Sequence, residues 1–181
     1  MNSTGICKMH NGKYSFVNVY RNQIKKNLPT INKLGITLIH NENDNSQQSE
    51  LSKIQDAVHT VDLIFDNIRD CEFVAIEGLA FGAKGSRLAE IAGYQYLLRQ
   101  RLLYADIPFA VYPPTTIKKF VGSGRFKKED MYTAFLTEDV KLAHRLNKVK
   151  CGLIKPIDDL IDAYFICKKL EFDLNQEDTV F

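Results

Sequence analysis

The sequence predicts one mixed α/β domain over residues 1–170, followed by an acidic tail at 171–181 that should fray. Three observations carry this. An Asn-Gly pair separates two strand-like runs near the start, an amphipathic helix follows, and short apolar runs then alternate with helical stretches.

The first element is a β-hairpin. Residues 6–9 and 14–20 flank His10-Asn11-Gly12-Lys13, and Asn-Gly suits the tight turn that matches strand twist. A short apolar strand is expected over 35–40. Residues 41–50 contain no apolar side chain and read as a loop. From 51 to 68 Leu51, Ile54, Val58, Val61 and Phe65 recur at helical spacing, as in a helix packed on a sheet. The run Phe73-Val74-Ala75-Ile76-Glu77 is apolar until its last residue, the pattern of a strand covered on both faces. A glycine-containing turn leads into a long helix over 87–104. A strand at 107–112 is stopped by Pro113-Pro114. Helices are expected over 117–121, 128–136 and 157–170, with Gly122-Ser123-Gly124 breaking the first of them.

Cys7, Cys71, Cys151 and Cys167 form no metal-ligand spacing and read as small apolar residues of a reducing compartment. No targeting segment or membrane-length apolar run is visible, so the expected location is the cytoplasm, without membrane association. A net charge of +2 does not announce a nucleic-acid partner. The distribution of charge is more informative.

Glu77 ends a buried strand, where functional groups of α/β sheets collect. Taken alone it also suits a solvated or arginine-paired strand end. Asp159 and Asp162 stand three apart on the 157–170 helix and share a face that continues into Phe165 and Ile166. N-terminal capping accounts for Asp158 or Asp159 and accounts poorly for Asp162, which lies beyond the first turn. Clustered carboxylates of this kind suit Mg²⁺ or Mn²⁺, two ions per site, and such a pair activates water and stabilises the leaving oxygen of a phosphodiester. Between the acids in sequence lies a basic segment, 118–128, with Lys118, Lys119, Arg125, Lys127 and Lys128 and no acid. It reads either as a solvated loop or as a phosphate-binding one. Lys84 and Arg87 form a second basic patch where the long helix begins.

In this order, Ala75-Ile76-Glu77, Phe81, Ala92-Gly93, Ile117-Lys118, Gly122-Ser123-Gly124, Lys127-Lys128 and Asp159-Leu160-Ile161-Asp162-Ala163 resemble the RuvC-type Holliday junction resolvases of the RNase H-like superfamily, nearest the phage-borne branch. The resemblance covers most of the chain. It implies a homodimeric Mg²⁺-dependent endonuclease that nicks four-way DNA junctions symmetrically in recombination and repair. Glu77, Asp159 and Asp162 would be catalytic metal ligands. Lys118 and Lys128, with Lys127 as the alternate, would face the scissile phosphate. Phe81 would stack on unpaired bases, or else sit in the core, and the 87–104 helix would supply dimer contacts, or else pack on its own sheet. The family also has a central first strand ending in an aspartate, ahead of the Thr-Gly that corresponds to Thr4-Gly5. The expectation is therefore an opening in the middle of the sheet, a chain that starts at an internal methionine, and impaired cleavage; Glu42 and Asp44 are poor substitutes for the aspartate because their loop is polar. Two alternatives stand beside the resolvase: a junction-binding protein without cleavage, and another RNase H-like nuclease acting on hybrids or unbranched DNA.

Overall fold

Asn11 (φ 49°) and Gly12 (φ 70°) both take the left-handed conformation, which the tight hairpin turn requires and which these two residue types tolerate best. They join β1 (Ser3–His10) to β2 (Lys13–Tyr20), paired antiparallel from Ser3↔Tyr20 to His10↔Lys13. A computed structural model describes residues 3–21, 27–42, 49–79 and 86–177 of the chain. β3 (Thr37–His40) adds in parallel to β2. β4 (Val74–Glu77) and β5 (Phe109–Tyr112) pair in parallel, Val74 with Phe109 and Glu77 with Tyr112.

Helices cover these strands on both faces. α2 (Glu50–Asp66), capped by the Ser49 hydroxyl accepting from the Ser52 amide, and α3 (Ser86–Tyr104) lie on one side. There Val74, Ile76, Ile64, Ile68 and Leu102 form one apolar cluster. On the other side α7 (Ile157–Glu177) packs with α5 (Lys128–Leu136) and α6 (Lys141–Val149) around Phe16, Phe135, Tyr164 and Phe165. Ala75 joins this second cluster, so β4 is covered on both faces, as its unbroken apolar run predicts. A short α1 (Leu28–Ile31), a 3-10 turn (Asn32–Leu34) and α4 (Pro114–Val121) complete the described elements.

Three differences from the sequence expectation have physical causes. α6 was not foreseen, because only Leu142, Ala143 and Leu146 mark its buried side among charged residues. α1 and the 3-10 turn bury Ile31 and Leu34 from a segment too short to show a period. α7 does not fray after residue 170 but runs to Glu177. The acids that made this stretch look solvated are acceptors: Tyr14 donates to Glu171 (2.5 Å) and Tyr112 to Asp173 (2.6 Å).

The strands form two sheets, β1-β2-β3 and β4-β5, and among the described residues no pairing joins β1 to β4. The expected opening in the middle of the sheet is present. A cleft of about 2430 Å³, lined by both edges and running on along α2 and α3, lies between them, and α7 packs against β1 and β4 alike. Gly5 makes the close approach on the β1 side. A Cβ there would stand 2.8 Å from the Leu160 amide nitrogen and nearer still to the Asp159 carbonyl. Because that neighbour is helix backbone, Gly5→Val should lower stability by about 1–3 kcal/mol, seen as a lower urea midpoint with an unchanged slope.

Candidate functional site

The start of α7 is fixed by its apolar stripe. Ile157, Leu160 and Ile161 are buried, so the helix rotation is set and Asp159 and Asp162 emerge beside the end of β4. Glu77 is the last residue of that strand. Pro113-Pro114 ends β5 and opens α4, which carries Lys118, and Lys128 is the first residue of α5. Glu77, Asp162, Lys118 and Lys128, with Pro114, Ile117, Met131 and Ile166, enclose a small cavity of about 250 Å³. Glu77 and Asp162 also line the larger cleft, together with Asp159 and Lys155.

The acids fall into two electrostatic groups. Asp158 accepts from Lys128 (2.5 Å) and Lys155 (2.8 Å), and Asp159 accepts from Lys155 (2.5 Å). Burial pushes Asp158 upward, but the two lysine bonds outweigh it and hold the carboxyl below its ordinary value. Burial likewise opposes the charge on Lys155, and its bonds to Asp158 and Asp159 raise it nonetheless. Glu77 and Asp162 have no such partner among the described residues. Burial first, then repulsion from Asp162 and Asp159, raises Glu77 to about 7 against the pull of Lys128 and Lys118. Water reaches Glu77 from the open side of the cleft while protein crowds its carboxyl elsewhere, so the residue is exposed by area yet poorly solvated at its head. Burial, with repulsion from Asp159 and Asp158 offset in part by Lys128, raises Asp162 to about 6.

Among the described residues no group of three His, Cys, Asp or Glu side chains is arranged to hold a metal ion. The donor set nevertheless fits a hard divalent cation chemically. One oxygen of Asp159 is buried without a partner, and Asp162 and Asp159 stand close enough to Glu77 to raise its proton affinity. Lys155 supplies the positive charge for Asp158 and Asp159 in the structure. The sequence reading missed it. The available signal was its spacing, three and four residues ahead of Asp158 and Asp159.

The basic segment divides. Lys118 and Lys128 reach the acids. Lys119 instead leans on the turn at Gly124, and Lys127 is exposed, its backbone amide donating to Asp130 at 2.8 Å. The aromatics of the segment serve packing: Phe120 meets Phe172, and the Phe126 ring lies over Gly122. Phe81, Lys84 and Asp44 lie outside the described residues, as does the side chain of Arg87, while Glu42 is exposed beyond β3. On α3, Tyr94 and Leu102 face inward, whereas Tyr96, Leu103 and Tyr104 are exposed.

A solved structure titled "Thermus thermophilus RuvC structure" superposes on 96% of this chain and 87% of its own, with a TM-score of 0.55 at 13% sequence identity. The chain has a RuvC-like fold. No protein-family model and no curated protein matches the sequence. The RuvC-like arrangement is the mixed α/β architecture described above, strands flanked by helices on both faces.

The raised acids imply a pH dependence of stability. The folded state holds protons on Glu77 and Asp162 more tightly than the unfolded chain, so stability falls as pH rises from about 4 to about 7. Asp162→Asn should remove part of that loss. At pH 8 its Tm should exceed the parent's by about 2–6 °C, allowing for water in the cleft, and at pH 3.5 the two should coincide in a thermal melt.

Proposed function

We propose that the chain is a structure-selective DNA endonuclease acting on four-way or otherwise branched junctions. The observation that carries this reading is the shared cavity of Glu77, Asp162, Lys118 and Lys128 on a RuvC-like fold. Acids that gather beside lysines at a strand end suit phosphodiester hydrolysis, the lysines receiving phosphate oxygens and the acids a cation.

Glu77, Asp159 and Asp162 would hold Mg²⁺ or Mn²⁺. Bound there, two such ions supply an activated water and stabilise the leaving oxygen. Lys118 and Lys128 orient the phosphate. Lys155 balances the charge of Asp159, which would be one of the cation's ligands, and Asp158 keeps Lys128 turned toward the site. Lys84, Arg87 and Phe81, which follow β4 in the sequence, would extend the DNA-binding surface, with Lys119 and Lys127 at its margin. A homodimer formed through the exposed side of α3 would present two such sites to one junction. No helix among the described residues is long and apolar enough to cross a membrane.

One observation favours a second reading. Because the three acids do not converge as they stand and Lys155 already neutralises Asp159, the chain also fits a protein that binds junctions without cutting them.

Incubation with labelled four-way junctions, RNA–DNA hybrids and linear duplex in Mg²⁺ separates the readings. Paired nicks in the junction alone are expected, and Asp162→Asn should abolish them while leaving junction binding within about twofold. Cutting that survives the substitution would refute the site, and tight binding without product in the parent chain would favour the second reading. Independently, Mg²⁺ or Mn²⁺ at 100 times its Kd should add about 2.7 kcal/mol of stability. That corresponds to a Tm rise of about 5–10 °C for a chain of this size, reversed by chelation and absent in Asp162→Asn.

A further inference from the structure

Strand alternation turns Gly5, Cys7 and Met9 of β1 to one side, and that side faces α7. A Cβ on Gly5 would meet the backbone of Asp159 and Leu160. Cys7 packs in the cluster built around Tyr164 and Phe165, whereas its neighbour Ile6 joins the opposite cluster. On α7, Leu160, Cys167 and Glu171 stand at i, i+7 and i+11, one stripe of the helix. The two rows run side by side. Gly5 lies against Leu160, Cys7 hydrogen-bonds Cys167, and Tyr14, the cross-strand partner of Met9, donates to Glu171 (2.5 Å). The hairpin thus meets α7 at three successive contacts, and the middle one is a pair of thiols.

The pair is polarised. Cys7 donates its S–H to Cys167, and the Met9 backbone N–H donates to the same sulfur. The bond from Cys7, helped by the one from Met9, holds the Cys167 thiol below its ordinary range against burial and the Glu171 carboxylate. Burial first, then the bond to Cys167, pushes the Cys7 thiol up. Cys71 and Cys151 are also raised, chiefly by burial, and the Cys151 thiol donates to the Gly152 carbonyl (3.4 Å). Of the four free cysteines, Cys167 alone has its thiolate favoured. Both members of the pair are half-buried and line the cleft, so a small solute reaches them from solvent. A favoured thiolate with a second thiol already in contact is the arrangement that oxidises selectively.

From this geometry we infer that Cys7 and Cys167 are an oxidisable dithiol, which hydrogen peroxide converts to a disulfide that ties β1 to α7. The Cys167 sulfur attacks one peroxide oxygen and the O–O bond breaks. Cys167 becomes a sulfenic acid, and the other oxygen leaves as water with the proton of the thiol. The Cys7 sulfur then attacks the Cys167 sulfur. The S–O bond breaks, and the hydroxyl leaves as a second water with the Cys7 proton. The two sulfurs together give up two electrons, and the peroxide takes them. Two equivalents of a small thiol reopen the bond by exchange and leave as their own disulfide. This inference does not rest on the nuclease reading.

The intact 181-residue chain is treated with hydrogen peroxide, alkylated, and digested without reduction for mass spectrometry. A linked peptide pair holding Cys7 and Cys167 is expected, with free thiols falling from four to two. Cys167 should react about tenfold faster than Cys71 or Cys151, or more. The linked chain should melt about 5–15 °C higher, and dithiothreitol should restore the starting Tm. In Cys7→Ser, which stops only the second step, dimedone should trap a sulfenic acid on Cys167. The peptide mapping needs no substitution, so it decides the matter even if that variant fails to fold. Absence of the linked pair, linkage of Cys71 to either residue, or linkage only between two chains overturns the inference. Oxidation of Cys71 or Cys151 ahead of Cys167 does so too, as does a linked chain that melts no higher than the reduced one.

Discussion

The burial of one helix stripe governs most of this molecule. Ile157, Leu160, Ile161, Tyr164 and Phe165 of α7 are at most 2% exposed, and each such side chain contributes about 1.5–3 kcal/mol by leaving water. Their 3-4 spacing fixes both the axial rotation and the depth of the helix. With that rotation set, Asp159 and Asp162 cannot retreat to the solvent side, since they alternate with the buried positions near the helix start. The cost of crowding carboxylates beside Glu77 is thus borne by packing a turn or two away. Phe135 meets Tyr164 of the same helix edge to face and is itself met edge to face by Phe16.

The same constraint explains how a divided sheet holds together. Among the described residues no ladder joins β1-β2-β3 to β4-β5, yet both rest on α7, with Gly5 against its first turns and Ala75 in the cluster it anchors. On the opposite face α2 and α3 bridge the halves through Ile6, Val19, Ile64, Val74 and Leu102. A buried polar group stiffens that bridge. Asp56 of α2 pairs with Arg21 after β2 and accepts from Tyr94 of α3 (3.0 Å), while Asn41 donates to Thr60 (2.8 Å). Helices on each side thus do the work that a continuous ladder performs in an ordinary sheet.

Charge in the site is organised by the lysines as much as by the acids. Asp158, the acid nearest the start of α7, binds Lys128 and Lys155 and gains from the helix dipole. It orients Lys128 toward Asp162 and Glu77, whose own burial keeps them protonated more readily than free carboxyls. The site thus holds its negative charge partly through protons on Glu77 and Asp162 and partly through the Lys155 ammonium beside Asp158 and Asp159.

Local chemistry alone determined much of this. The hairpin follows from Asn11-Gly12, the doubly covered β4 from its unbroken apolar run, the end of β5 from Pro113-Pro114, and the candidate acids from their misfit with capping or an apolar face. These are statements about neighbours in sequence, where period and turn chemistry act. Tertiary structure alone decided the rest. Whether Lys118 or Lys119, and Lys127 or Lys128, reaches the acids depends on how α4 and α5 seat against α7. Lys155 becomes part of the site only when the loop before α7 folds back onto its first turn. The tail beyond residue 170 is helical because Tyr14 and Tyr112, 157 and 61 residues away from their partners, donate to Glu171 and Asp173. Contacts at that separation leave no trace in the local pattern, and the charge count of the segment pointed the other way.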